Sequence, residues 1–295
     1  MLRVYLTVLI YVGLILGSFA GAQVWRLRYK QLLDDKKYDE DYDKSELKRL
    51  SVLNTKKEKH DRSKCLHCGH VLAWYDLLPL FSWLSTGGKC RYCRKPIGWF
   101  EPVIELATAF LFGLSTFVLL PGLDSGLSVA MLVLWLVACV LLVILFAYDF
   151  KWYLLPDSIN FGLIGVAVVI AALKLFDQQF SAQAIVSLLG ALIILPGLYW
   201  LLYAISKGLW IGFGDVKLCI GLALLLGRWE LAFMTLFLAN FIGTLLVLPF
   251  LASGKLSGKA HIPFGPLLII ATIIAVLFGD HILRWFEAAS LAIFV

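Results

Sequence analysis

Long uninterrupted apolar stretches are the feature of this 295-residue chain that most restricts its fold. A helix of about twenty apolar residues is long enough to cross the hydrocarbon core of a bilayer, which is roughly 30 Å thick. We identify eight candidate spans, of which the sixth is short. They lie near residues 4–25, 102–120, 129–149, 158–176, 182–205, 216–227, 231–251 and 264–283. The sequence therefore predicts an all-α, polytopic membrane helical bundle of about eight transmembrane helices.

The composition agrees with a membrane protein and excludes an ordinary soluble domain. Hydrophobic residues make up 61% of the chain and charged residues only 16%, whereas charged residues are about a quarter of an average soluble protein. The first apolar stretch has no small-residue cleavage site after it. We therefore expect it to remain in the protein as a helix instead of being removed as a signal peptide.

The distribution of lysine and arginine sets the expected orientation. Seventeen of the 26 basic residues lie between Arg26 and Lys95, within the single large hydrophilic loop. Because cytoplasmic loops are enriched in Lys and Arg, we place this loop in the cytoplasm. We divide the chain into a first transmembrane helix (1–26), a cytoplasmic loop (27–101) and a membrane core (102–295).

Two aspartates lie at the ends of apolar spans, next to short basic segments. Asp149 closes the third span and Asp215 precedes the sixth, so with the loop in the cytoplasm both fall at the cytoplasmic edge of the membrane. A carboxylate at the edge of hydrocarbon is costly, and such residues are usually functional. Two carboxylates at one face can share acid–base work, one ionised and the other protonated. We interpret the pair as the candidate catalytic site of an intramembrane-type aspartyl protease.

The residues around each aspartate fit this interpretation. Gly212 and Gly214 allow a tight turn and a close backbone approach before the sixth span. Lys151 and Lys217 each follow an aspartate by two positions. They either adjust the protonation of a carboxylate or anchor the helices at the basic face of the membrane. The sequence leaves these two alternatives open.

Four cysteines in the cytoplasmic loop have the spacing of a zinc site. Cys65 and Cys68 form one Cys-x-x-Cys pair, and Cys90 and Cys93 form a second. Each pair can form one tight knuckle, and tetrahedral Zn²⁺ bound to four thiolates joins the two. The alternative, a pair of disulfides, conflicts with the reducing cytoplasm in which the charge distribution places this loop. The sequence predicts a cytoplasmic zinc-knuckle loop in which the metal is structural.

Further motifs occur in order along the chain, together with the two aspartate motifs and the cysteine pairs. They are Gly17-Ser18-Phe19, the D-x-x-P-x-x-S-W-L pattern from Asp76 to Leu84, Pro102-Val103-Ile104-Glu105, and Pro263-Phe264-Gly265-Pro266. In this order they resemble the bacterial type IV prepilin peptidase family. Its members are prepilin leader peptidase/N-methyltransferases and GxGD-type membrane aspartyl proteases. The resemblance covers nearly the whole chain.

This resemblance implies an enzyme with two activities in the bacterial cytoplasmic (inner) membrane. The family cleaves the short basic leader from type IV prepilins and pseudopilins at the cytoplasmic face, in pilus assembly and protein secretion. Many members then methylate the new N-terminal amine with S-adenosylmethionine. By position in the motifs, Asp149 and Asp215 would be the catalytic aspartates and Glu105, at the start of the second span, would belong to the methyl-transfer site. The cytoplasmic loop (27–101) would be the methyltransferase region.

The expected partners follow from the same resemblance and from the membrane character of the chain. They are a prepilin or pseudopilin substrate, with a basic leader and an apolar helix, and membrane lipid. We expect no nucleic acid partner, because the zinc-bearing loop is short, mixed in charge and tethered to the membrane.

The N-terminal half departs from the family pattern at several positions. Gly21 stands where the family usually has Asn, Leu66 where the first knuckle usually has Pro, and Phe100-Glu101 where Arg-Tyr usually precedes the proline. The protease motifs are intact. The sequence therefore supports cleavage better than methylation.

Two other functions fit part of the sequence. A GxGD protease of the presenilin or signal-peptide-peptidase kind would carry Tyr148-Asp149 on one span and Gly-x-Gly-Asp on the next, but here a further span lies between them. A proton-coupled transporter could use two membrane carboxylates as relays. Such relays usually lie nearer the membrane centre, and no symmetric pair of broken spans indicates a transporter.

Overall fold

The computed structural model describes residues 2–54, 62–253 and 263–293. Within these ranges the chain is helical apart from turns and two isolated β-bridges. It divides into two compact units, Met1–Phe117 and Val118–Val295. The prediction of an all-α polytopic bundle is confirmed.

The first unit contains a long N-terminal helix, a loop region with short helical turns, and a second long helix. Its helices are α1 (Leu2–Lys37), α2 (Lys44–Leu50), α3 (Phe81–Ser85) and α4 (Phe100–Leu119), with 3₁₀ turns at Ser51–Leu53 and Trp74–Leu77. Helix α1 continues beyond residue 26, so its last turns extend into the polar segment that we assigned to the loop.

Helices α1 and α4 pack closely through two glycines. A Cβ atom on Gly17 would lie 2.7 Å from the Cα of Glu105, and one on Gly13 would lie 2.8 Å from the Cα of Ala109. Both distances are too short for a side chain, so the backbones meet directly at these points. Small residues four positions apart commonly allow such contact between membrane helices. This packing sets the position of Glu105 relative to α1.

The described residues of the second unit form seven helices. They are α5 (Gly126–Trp152), α6 (Asp157–Asp177), α7 (Ala182–Leu192), α8 (Leu198–Ser206), α9 (Phe213–Leu226), α10 (Trp229–Ala252) and α11 (Gly265–Ile293). A π-helical turn, Ile193–Gly197, joins α7 to α8 and contains Pro196. A proline cannot donate a backbone hydrogen bond, so an irregular turn at this point is expected.

Seven helical segments of the described chain are long and apolar enough to cross a membrane. They are Arg3–Lys37, Phe100–Gly122, Gly126–Trp152, Asp157–Asp177, Ala182–Ser206, Trp229–Phe250 and Gly265–Ser290. The sixth candidate span corresponds to α9, which has 14 residues. At 1.5 Å per residue this helix is about 21 Å long, which is shorter than the hydrocarbon core.

The interior position of α9 explains how so short a helix is accommodated. It contacts α6, α7, α8, α10 and α11. Most of its side chains are buried, namely Val216, Leu218, Cys219, Leu222, Ala223, Leu225 and Leu226. A helix that is apolar on all sides is typical of a core enclosed by other helices. Its ends must then be satisfied by the protein, because lipid offers no hydrogen bonds.

Lys174 satisfies the C-terminal end of α9. Its Nζ atom donates to the carbonyl oxygens of Leu225 at 2.7 Å and Leu226 at 3.3 Å. These are among the last carbonyls of the helix, which have no partner within the helix itself. Gly227 follows in the left-handed conformation, with φ of +71°, which ends the helix there. A cation at this position also interacts favourably with the helix dipole.

We expect Lys174→Met to destabilise the second unit, because two carbonyls at the end of α9 would lose a charged donor. The loss should be about 2 kcal/mol, and the apparent melting temperature in detergent should fall by roughly 5 °C. Lys207→Met is the matched control, since Lys207 is exposed after α8. Equal melting temperatures for the two variants would contradict the capping role of Lys174.

Candidate active site and metal centre

Asp149 lies in the last turn of α5 and is buried, with 5% of its surface exposed. The helix ends at Tyr153, which has the left-handed φ of +58° and donates its N–H to the carbonyl of Asp149 at 2.8 Å. The Oδ2 atom of Asp149 is buried and has no hydrogen-bond partner within the described part of the chain. A carboxyl group so placed is available to a water molecule or a substrate.

Asp215 lies in the first turn of α9, directly after the glycine turn. Gly212 precedes the helix, and its carbonyl accepts the Asp215 N–H at 3.1 Å. A Cβ on Gly214 would lie 3.2 Å from Leu155, and the Gly214 carbonyl accepts a hydrogen bond from Asn160 at 3.4 Å. The glycine turn is therefore packed against the segment that links α5 to α6. This contact explains the need for a small residue at position 214.

The two aspartates are brought close together. Asp149 is within the range in which the charge of Asp215 acts on it. Gly265, the first residue of α11, lies against Asp149 and against α9: a Cβ there would overlap the Oδ2 atom of Asp149 and lie 3.6 Å from Leu218 of α9. Three helix ends thus converge at this point. Because two like charges so near each other are unfavourable, the geometry suits a pair that holds one proton.

The helix dipoles make the surroundings of the two carboxyls unequal. Asp215 lies at the start of α9, where the positive end of the dipole favours a negative charge. Asp149 lies near the end of α5, where the dipole disfavours one, although the start of α11 at Gly265 offsets this. Two acids in different surroundings are typical of acid–base pairs.

The lysines of the aspartate motifs have other contacts. Lys217 forms an ion pair with Asp157 at 2.7 Å and lies over the rings of Phe161 and Phe213. It therefore joins the starts of α6 and α9. The Nζ atom of Lys151 lies 4.8 Å from the centre of the Trp152 ring.

The four cysteines of the first unit come together as predicted. One sulfur atom from each of Cys65, Cys68, Cys90 and Cys93 lies within 4.8 Å of the other three, and Cys65 and Cys93 are 4.0 Å apart. Tetrahedral zinc with Zn–S bonds of about 2.3 Å requires sulfurs roughly 3.8 Å apart. None of these cysteines is in a disulfide. The cluster fits a four-thiolate zinc ion.

Each cysteine pair lies in a tight hairpin of the same design. Cys65 donates its N–H to the His70 carbonyl, and Cys90 donates to the Lys95 carbonyl. The residue after each second cysteine, Gly69 and Arg94, has a positive φ of +71° and +59°. The two hairpins close at the bridges between Lys64 and Val71 and between Lys89 and Pro96.

The cysteine thiols of the cluster differ in pKa: burial raises the pKa of Cys65 to about 12, whereas the pKa of Cys90 is lowered. Burial raises the pKa of the Cys90 thiol, but the N–H groups of Cys93 and Tyr92 outweigh it and lower the pKa to about 7. Thiolates are the ligands of zinc.

A cavity of about 240 Å³ lies in the first unit, beside the cysteine cluster. Glu105, with 6% of its surface exposed, lines it and accepts the Leu80 N–H at 2.8 Å. Glu101, one turn earlier on α4, accepts the Trp25 indole N–H at 2.8 Å. Its other oxygen, Oε2, is buried and has no hydrogen-bond partner among the described residues.

Some of these positions were not singled out from the sequence. Gly265 was noted only as part of a motif, and Trp25 not at all. Glu101 was noted only as a departure from the family pattern. The one local signal for Glu101 is its spacing of four residues from Glu105, which places both carboxylates on one face of α4.

Comparison with known proteins agrees with the motifs. Residues 11–119 match the family described as Bacterial Peptidase A24 N-terminal domain, and residues 136–248 match the Type IV leader peptidase family. A protein of Aeromonas hydrophila named prepilin leader peptidase/N-methyltransferase is 30% identical over 96% of this chain and 93% of its own length. The chain belongs to the type IV leader peptidase family.

Other members of this leader peptidase family carry the same name. The relative from Aeromonas salmonicida is 31% identical over 78% of this chain and 76% of its own length. The relative from Pseudomonas aeruginosa is 32% identical over 75% of this chain and 73% of its own length. No solved structure matches the chain. Membership of the family, over both units, argues against the transporter hypothesis and against the presenilin kind of protease.

We expect Cys90→Ser to reduce bound zinc from about one ion per chain, because a serine hydroxyl is a poor replacement for a thiolate ligand. Cys139→Ser is the matched control, since Cys139 is buried in α5 and outside the cluster. Metal content of the purified proteins, measured by plasma mass spectrometry, distinguishes the two. Unchanged zinc in Cys90→Ser would contradict the four-thiolate site.

Proposed function

We propose that this protein cleaves the leader peptides of type IV prepilins or pseudopilins with Asp149 and Asp215. The observation that carries the proposal is the convergence of these two carboxyls at the ends of α5 and α9, in a chain of the leader peptidase family. Both residues come from the motifs that the sequence identified. No metal ligand set lies beside them among the described residues.

The chemistry follows from the shared proton. The ionised carboxylate removes a proton from a water molecule, which attacks the carbonyl carbon of the scissile amide. The protonated carboxyl donates its proton to the carbonyl oxygen, and a tetrahedral intermediate forms. Its collapse breaks the C–N bond, and the departing amine takes up a proton. The buried surroundings of Asp149 strengthen the interaction between the two acids, because the local dielectric constant is low.

The proposed location is the cytoplasmic face of the bacterial inner membrane. Seven membrane-length helices in the described ranges support a multi-pass protein, and the excess of Lys and Arg between residues 26 and 95 supports a cytoplasmic loop. A substrate with an apolar helix can enter from the bilayer, and its basic leader would be attracted by carboxylates at the membrane edge.

We also propose that the first unit methylates the new N-terminus of the cut product. The names of the relatives support this activity. S-adenosylmethionine would supply the methyl group. Glu105, buried at the cavity, is placed to accept a proton from the substrate ammonium, and the zinc hairpins form part of the cavity wall. Zinc is then structural, since it orders the two hairpins.

The test is co-expression of a prepilin with the wild type, Asp149→Asn, Asp215→Asn and Asp157→Asn, followed by mass spectrometry of the substrate. The first two variants remove an acid or base and should cut at least about 1,000-fold less. Asp157→Asn is the control within the same motif, because this exposed side chain pairs with Lys217. It should retain most of the cleavage.

Retained cleavage in Asp149→Asn or Asp215→Asn would refute the assignment of that residue. Loss of cleavage in all three variants would show that the substitutions disturb the fold. Lower melting temperatures of the purified variants would then be expected. A mass increase of about 14 Da on the cut product reports methylation separately, because it equals one added CH₂ group and does not depend on which aspartate acts.

We expect Gly265→Ala to reduce cleavage by about 100-fold or more, because the added methyl group would displace the Asp149 carboxyl from its position. Gly279→Ala is the matched control in the same helix. A Cβ there would meet Leu231 at 2.5 Å, so it causes crowding of similar severity away from the aspartates. Equal loss of cleavage in both variants would mean that crowding of α11, and not displacement of Asp149, is responsible.

A further inference from the structure

We propose that Asn160 is a positioning residue of the peptidase site, whose side-chain amide holds the glycine turn that carries Asp215. The inference deepens the proposed cleavage of prepilins and rests on the role of Asp215 in that reaction. It assigns a function to a buried side chain of α6 that lies outside both aspartate motifs.

The turn before α9 needs support from outside itself, because glycine is the most flexible residue in a chain. Gly212 and Gly214 flank Phe213, and the peptide group after Gly214 leads directly into Asp215. A peptide group is planar and rigid, so the direction of its carbonyl also sets the direction of the chain at Asp215. A contact that holds the Gly214 carbonyl therefore helps to aim the Asp215 carboxyl.

The side chain of Asn160 makes such a contact. Its Nδ2 atom donates to the Gly214 carbonyl oxygen at 3.4 Å. The amide must have this orientation, since turning it over would set two oxygen atoms against each other. The bond is long, as hydrogen bonds of catalytic sites often are before a substrate binds. We expect it to shorten when the substrate is in place.

The position of Asn160 is itself fixed by the packing of α6 against α9. The side chain is fully buried, and the two helices also meet before it and after it along α6. Before it, Asp157 pairs with Lys217 of α9 at 2.7 Å. After it, Leu163 lies 3.2 Å from where a Cβ on Gly221 would be. These contacts keep the amide next to the glycine turn.

The other side-chain atom, Oδ1, indicates that Asn160 is not there for stability. It is buried and has no hydrogen-bond partner in the part of the chain that the structure describes, and such an atom destabilises a fold. The Gly214 carbonyl belongs to the first turn of α9, and an α-helix supplies its own donor four residues later. The fold can therefore do without the amide, and a leucine of the same branching would remove the unpaired oxygen.

The test separates catalytic rate from stability with the variant Asn160→Leu. Its melting temperature in detergent should stay at or above that of the wild type, because the donor and the unpaired oxygen are removed together. The kcat for cleavage of a prepilin should fall about tenfold or more, since Asp215 would be less well aimed. KM should change by less than about twofold, because a fully buried side chain does not touch the substrate.

Ile170→Ala provides the control on the same helix. Ile170 is buried, with 4% of its surface exposed, and lies about 15 Å further along α6 than Asn160. Its truncation leaves a cavity, so the melting temperature should fall. The kcat, measured well below that temperature, should remain within about twofold of the wild type. The two variants are thus expected to show opposite patterns of stability and rate.

A kcat for Asn160→Leu equal to that of the wild type would overturn the proposal. A melting temperature as low as that of Ile170→Ala, or a failure to fold, would overturn it as well, because the amide would then be a structural contact. A higher KM with unchanged kcat would place Asn160 in substrate binding instead.

Asp215→Asn, measured beside these variants, distinguishes this inference from the proposed function on which it rests. If Asp215→Asn cleaves as well as the wild type, the proposed function fails at Asp215 itself and the positioning role fails with it. If Asp215→Asn is inactive while Asn160→Leu is fully active, the proposed function stands and only the role of Asn160 is refuted.

Discussion

The cost of removing a carboxylate from water governs both units of this protein. Asp149 is nearly fully buried at the end of a membrane-length helix, and Glu105 is equally buried at the start of another. Such groups persist only where the protein, a ligand or a shared proton compensates them. In the second unit the start of α11 lies against Asp149, whereas the nearby charge of Asp215 adds to the cost unless the two acids share a proton. In the first unit a backbone N–H satisfies one oxygen of Glu105.

The short helix α9 is the centre of the second unit. It has too few residues to cross the hydrocarbon core, but the surrounding helices enclose it, and Lys174 caps its far end. Because α9 is a rigid helix, fixing its C-terminal end also fixes its N-terminal end, where Asp215 lies in the first turn. The glycine turn before it packs against Leu155 and Asn160. The placement of one carboxyl therefore depends on contacts along the whole helix.

Much of the fold was predictable because its signals are local. Apolar stretches of membrane length predicted the long helices, and the described part of the chain contains seven segments of that length. The spacing of Cys65, Cys68, Cys90 and Cys93 predicted a cluster that the structure contains. The sixth span was harder to predict, because the length of an apolar stretch does not show whether the helix faces lipid or is enclosed by other helices. The extension of α1 to Lys37 was not foreseen, because polar residues there also suit a loop.

The sequence by itself determined the all-helical membrane class, the metal-binding spacing and the two aspartate motifs, because each depends on residues within one helix or one turn. Only the tertiary structure decided that Gly265 lies against Asp149 and that Trp25 donates to Glu101. These contacts join residues far apart in the chain, and no periodicity or spacing encodes them. They arise from helix packing. Where a glycine lies between two helices, its lack of a side chain allows the two backbones to approach closely.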